Sequence, residues 1–411
     1  MGVTLTSGAS STATRSTAPT GPGSDGDLVA GDETAFAPQR FGYLPALDGL
    51  RAVAVLAVMA FHAGFPLASG GVLGVSTFFT LSGFLIASLS LSEQASTGRL
   101  SLPAFWERRA RRLLPASLVT LVGIVVLQWT SNIGSGPHFR GDVFSTLAYA
   151  TNWRLASRGG DYAQLFAAPS PLTHFWSLAI EEQFYLLFPL AFVGLMAAFK
   201  RRPLRAGWVF AGAAVVSFAL AAWTAGRYGN SGLAYYGTHT RAGELLVGVV
   251  LGFLVANRNV RGVLDSAVAR PIVRFGGVAA LAGLAGLWSW VTLGDANLFR
   301  GLTLLNAALT SLVVLACVRN DGPMTFVLGN WPLRMIGKVS YAAYLIHWPL
   351  FLFVDEQRFP DMGTRALFAV RVALTLALAV VSYWAVEYPF RRRLRGLTRP
   401  RLGMLLAGAV A

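Results

Sequence analysis

A single cysteine, Cys317, stands in the 411 residues. It leaves no partner for an intramolecular disulfide and no thiolate cluster for a metal. Charge is also scarce: 13% of the residues are Asp, Glu, Lys or Arg, against about 25% in a soluble domain. Acids are the scarcer sign, 19 against 34 bases, for a net charge of +15. Neither H-E-x-x-H nor G-x-S-x-G occurs, which excludes the zincin site and the hydrolase nucleophile elbow, and no metal site is expected. No repeat of fixed period is visible, nor the paired broken helices of secondary transporters. Residues 1–39 lack an apolar core segment and are rich in Ser, Thr, Gly, Ala and Pro. They read as a disordered cytoplasmic tail, not a signal peptide.

What is abundant is apolar sequence, 54% of the chain. Runs of membrane-spanning length recur from residue 47 onward, which predicts an all-α, polytopic transmembrane bundle. Ten spans are expected, at about 47–67, 72–91, 113–130, 175–199, 207–226, 241–257, 273–293, 299–318, 337–354 and 365–387. The stretch Asp142–Trp153 is apolar but short. If it does not cross and the N-terminus is cytoplasmic, the cytoplasmic loops hold 22 of the 34 Lys and Arg and the opposite loops hold 8. Crossing would invert every later loop against the positive-inside rule. Residues 131–174 are therefore expected outside, with a short helix or re-entrant element. The division is then a tail (1–39), a membrane domain (40–392), and a basic segment (393–411) whose Leu402–Ala411 reads as the start of a further helix. The arginines are scattered between spans rather than gathered on one domain, so the charge points to membrane lipid and topology, not to nucleic acid.

Arg51 and His62 share the first span with only apolar residues between them. Eleven helical steps bring them within about 20° of one face and separate them by roughly 16 Å, about half a hydrocarbon core. Ionisable groups placed there are functional candidates. Arg51 is a cationic anchor or a snorkelling partner of Asp48, and His62 a buried proton acceptor or a packing residue. In Phe105–Pro115, Arg108, Arg109, Arg111 and Arg112 lie just before a span. Their guanidinium forks suit the phosphates of a donor such as coenzyme A thioester, or lipid head groups. Leu172–Tyr185 opens another span with His174, Trp176, Ser177, Glu181, Glu182 and Tyr185. There a carboxylate could orient His62 or bind an acceptor hydroxyl, and the helix N-terminus favours negative charge in any case. Ser340–Leu350 carries Tyr341 and His347, for substrate binding or an interhelical hydrogen bond. His239, Arg241 and Glu244 mark the outer approach to a span. Ser76 and Ser82 read as helix-packing residues, and His138 as a solvated bystander.

Taken together, L-D-G-L-R-A-V-A-V-L-A-V-M-A-F-H, G-V-S-T-F-F-T-L-S-G-F-L-I, R-R-A-R-R-L-L-P-A, H-F-W-S-L-A-I-E-E-Q-F-Y-L-L-F-P, S-Y-A-A-Y-L-I-H-W-P and E-Y-P-F-R-R resemble the acyltransferase-3 family of bacterial membrane O-acyltransferases, over about residues 41–392. The resemblance implies a multi-pass protein of the bacterial inner membrane. It would transfer an acyl group, most often acetyl, from cytoplasmic acyl-CoA to an envelope carbohydrate, with no permanently bound cofactor. The family's arginine–histidine motif falls on Arg51 and His62, its arginine motif within Arg108–Arg112, and its W-S-L-x-x-E-E motif on Trp176–Glu182. Many members continue into an extracytoplasmic SGNH-type domain that assists transfer, and this is an expected partner.

The mechanism expected has His62 as general base, with Arg51 and Glu182 as its catalytic company. Arg51, Arg108, Arg109, Arg111 and Arg112 would hold the acyl-CoA. The acceptor would meet His174, Trp176, Glu181, Tyr185, Arg241, Tyr341 and His347. A covalent acyl-histidine is the second route. The alternatives are a small-molecule or lipid acceptor, a proton-coupled transporter using Arg51, Glu182 and His347, and a non-catalytic scaffold.

Overall fold

The computed structural model describes residues 42–131, 138–158 and 170–393; the expected tail and the 402–411 stub lie outside them. The described residues form helices and no strand. The principal helices are α1 (Pro45–His62), α2 (Leu73–Thr97), α3 (Leu102–Ser131), α4 (Phe139–Leu147), α5 (Thr151–Ser157), α6 (Phe175–Ala198), α7 (Pro203–Tyr228), α8 (Thr238–Ala256), α9 (Ala269–Trp290), α10 (Thr303–Arg319), α11 (Trp331–Lys338), α12 (Ser340–Phe353) and α13 (Thr364–Ser382). Among the described residues, nine helices are long and apolar enough to cross a membrane.

The expected span at 337–354 differs. It breaks at Val339 into α11 and α12, and α12 has 14 residues, about 21 Å of helix against a core of ~30 Å. Hydropathy runs through the break because α12 is apolar on nearly every face: it is an interior helix, packed against α1 and α13. Arg371 of α13 closes its end, donating from Nε to the Val354 carbonyl (2.6 Å) and from Nη2 to that of Phe351 (3.3 Å). The Asp142–Trp153 stretch forms two helices of nine and seven residues, α4 and α5, neither of spanning length. Tyr149 separates them in a left-handed conformation (φ 51°).

Close backbone contacts set the helices that carry the site. A Cβ on Gly49 of α1 would lie 1.8 Å from the Leu328 carbonyl oxygen, and one on Gly337 of α11 would lie 1.9 Å from that of Asp48. The start of α1 is therefore clasped on two sides. Gly83 of α2 meets the Leu245 carbonyl, and Gly248 of α8 that of Thr80, each with 1.9 Å to a built Cβ. Small residues allow such approach, and dispersion and hydrogen bonding between helices follow from it.

Candidate active site

The sequence placed Arg51 and His62 on one stripe of α1, and the fold uses the two ends of that stripe for different surroundings. Arg51 lies 3.8 Å from Asp48 and lines a cavity together with Ser82, Arg109, Arg112, Ser177, Glu181, Tyr185, Tyr341 and Tyr344. A second cavity adjoins it, sharing Arg109 and Arg112 and adding Arg108, Arg111, Glu93 and Phe105. All four arginines of the cluster thus border one or other of two adjoining cavities. Arg108 and Arg111 have carboxylate partners, Glu93 and Glu107, each at 2.5 Å. Arg109 lies over the rings of Phe105 (5.8 Å) and Tyr185 (5.4 Å). No carboxylate lies within ion-pair distance of Arg109 or Arg112 among the described residues.

His62 ends α1 rather than lying midway along a longer span. Its partner is another histidine: Nδ1 of His62 is 3.0 Å from Nε2 of His347. The Trp348 ring lies 4.8 Å from that of His62. His347 is buried, with Nδ1 2.6 Å from the Tyr344 carbonyl oxygen. The His174 ring is 5.8 Å from that of His347, and His174 Nε2 donates to the Leu345 carbonyl at 3.0 Å. Tyr344 stands between this histidine cluster and the cavity. Its hydroxyl donates to the His174 carbonyl (3.1 Å) and pairs with the hydroxyl of Ser177 (2.7 Å), which lines the cavity with it.

The paired glutamates diverge. Glu181 lines the cavity and accepts from the Ser82 hydroxyl at 2.7 Å. Ser82, read from the sequence as packing, is thus part of the site; among the many Ser and Thr of its helix nothing in the sequence singles it out. Glu182 lies within Coulombic range of Tyr149, Tyr341 and Arg109, while Nδ1 of His62 lies against an imidazole. Tyr341 donates to the Leu113 carbonyl at 3.0 Å. The next residue, Gln183, carries weight that its sequence position did not suggest. Its amide donates to the Tyr149 carbonyl (2.7 Å) and to Asn152 Oδ1 (3.0 Å), and accepts from Thr238 at 2.5 Å. That network holds the α4–α5 turn against α6.

Arg241 and Trp176 lie apart from both cavities. Arg241 is buried among the rings of Phe79, Trp176, Tyr235 and Phe299, 5.5–5.8 Å from each centroid. It donates to Ser76 (3.1 Å) and lies 3.4 Å from Glu244.

A polytopic bundle with a basic recess on one side of a tyrosine and a histidine cluster on the other is suited to bringing an anionic carrier near a proton acceptor within the membrane. The family comparison places it: the chain matches the model described as an acyltransferase domain over residues 44–384 and belongs to that family. Curated relatives include O-acetyltransferase OatA of Staphylococcus aureus strains NCTC 8325 / PS 47 and COL. Each is 33% identical over 364 residues, which is 88% of this chain and 59% of the relative. The chain thus spans about three-fifths of the length of these relatives. No solved structure matches it.

Proposed function

We propose that the protein is an O-acyltransferase of the bacterial inner membrane, moving an acetyl group from acyl-CoA to a hydroxyl of an envelope glycan. The arginine-rich end faces the cytoplasm in this reading. The observation that carries it is the pair of adjoining cavities bordered by Arg51, Arg108, Arg109, Arg111 and Arg112, one of them lined also by Tyr344, whose carbonyl accepts from His347, the partner of His62.

Arginine forks suit the carrier's phosphates. Arg109 and Arg112, common to both cavities, are the pair that follows the carrier inward. Its thioester reaches the tyrosine wall, and transfer takes place when Tyr344 turns aside. The acceptor oxygen attacks the thioester carbon while His62 takes its proton. The carbon–sulfur bond then breaks, and the departing thiolate takes that proton from His62, giving the ester and coenzyme A thiol. The glycan acceptor and the assisting extracytoplasmic domain follow from the family resemblance.

The test is thiol release from acetyl-CoA by the purified protein in nanodiscs, with an N-acetylglucosamine oligomer as acceptor probe. His62→Ala should lower turnover by about 10²–10⁴-fold, the usual contribution of a general base, while inserting normally. Undiminished turnover in that variant removes the imidazole from the mechanism.

A further inference from the structure

Two imidazoles in contact fix one another's protons. His347 Nδ1 lies 2.6 Å from the Tyr344 carbonyl oxygen. A carbonyl only accepts, so this nitrogen carries hydrogen. In the neutral ring Nε2 then holds the lone pair and accepts. The group facing it at 3.0 Å is Nδ1 of His62, which must be the donor. The hydrogen of His62 therefore sits on Nδ1, and its lone pair on Nε2. Edge contact with Phe351 (5.8 Å) orients the His347 ring, and the Trp348 indole (4.8 Å) that of His62.

We infer that His347 is a positioning residue: it holds His62 in the Nδ1–H tautomer and so makes Nε2 the nitrogen that takes the acceptor's proton. The inference rests on the reading of His62 as general base. In hydrolytic triads a carboxylate performs this task. Here a neutral imidazole performs it, backed in turn by a peptide carbonyl. The imidazolium formed during transfer is thus backed by dipoles along the His347–Tyr344 line, an arrangement suited to passing the proton on to the leaving thiolate. The relay ends at the carbonyl, which has no proton to give, so His347 orients and does not conduct.

Two measurements test this. The first is the ¹⁵N spectrum of histidine-labelled protein in nanodiscs, with the His62 signals assigned by their loss in His62→Gln. A protonated Nδ1 and an unprotonated Nε2 are expected, the less populated tautomer of a histidine in water. A protonated Nε2 on neutral His62 overturns the inference. The second compares His347→Leu, which has no acceptor, with His347→Gln, whose side-chain oxygen can accept from His62. The leucine variant should lose about 10²-fold in kcat with each KM within about threefold, and the glutamine variant should recover to within about tenfold of the parent. Equal losses in both, or none in leucine, overturn it. The spectrum needs no turnover, so failure of the base reading, seen as full activity in His62→Ala, leaves a different mark from failure of the pair.

Discussion

Arg109 and Arg241 both lie against aromatic rings in the interior of the bundle, and their settings differ in one respect that decides their work. Arg109 borders two cavities and has no carboxylate in ion-pair distance among the described residues. Arg241 is enclosed by four rings, bonded to Ser76 and set 3.4 Å from Glu244, and lines neither cavity. A buried cation that has its counter-ion within the fold is a strut between helices. Arg109 borders cavities and has Glu181 and Glu182 only within Coulombic range, so its guanidinium is not tied to one carboxylate. Residue type alone gives the same expectation for both; the neighbours separate them.

The largest effect expected is on the strut. Arg241→Met leaves Glu244 enclosed without its cation, which should cost about 3–5 kcal/mol, whereas replacing both members with Met should restore most of the loss. Thermal unfolding in detergent reads this. A parental midpoint for the single variant would erase the distinction drawn above. Next is the recess. Arg109→Ala with Arg112→Ala should raise the KM for acetyl-CoA by about 10- to 100-fold, the worth of a hydrogen bond or two to charged groups, at about 1.5–3 kcal/mol. The unfolding midpoint should stay near that of the parent. A collapse in stability with unchanged KM would make these arginines struts too.

The smallest effect sharpens the comparison with a third setting, the partly exposed cluster of Arg270, Arg274 and Arg319 around Asp321. Burial pulls the Asp321 carboxyl upward. The hydrogen bond from Arg270 and the charges of Arg274 and Arg319 outweigh it and hold the group below its ordinary value. Because the folded value is depressed, the stabilisation is present above the unfolded carboxylate value, near pH 4, and is lost as pH falls through the folded one. Solvent screening keeps it under about 1 kcal/mol. Asp321→Asn should flatten the acid side of a stability–pH curve by that small amount, and by less in high salt. An effect as large as that of Arg241→Met would contradict the ranking.

Much of this was legible in the chain. The spacing of Arg51 and His62, the run Arg108–Arg112 and the shortness of Asp142–Trp153 each rest on local periodicity or charge, and each reappears in the fold. What periodicity cannot give is the neighbour across helices. His347, the partner of His62, lies 285 residues away. Glu181 and Glu182 are adjacent, so they point some 100° apart on one helix, and only the packing of α2 and α3 decides which faces the recess. Hydropathy likewise could not divide 337–354, because an interior helix and a spanning one are equally apolar. Gln183 escapes notice because an amide in a motif of acids and aromatics gives no sign that the α4–α5 turn and the start of α8 converge on it.

The hydroxyl of Tyr344 is held from two directions on the recess side, while its carbonyl anchors the imidazole pair on the other. One side chain thus ties the lining of the recess to the imidazole pair, so that a shift of its helix would be felt by both at once.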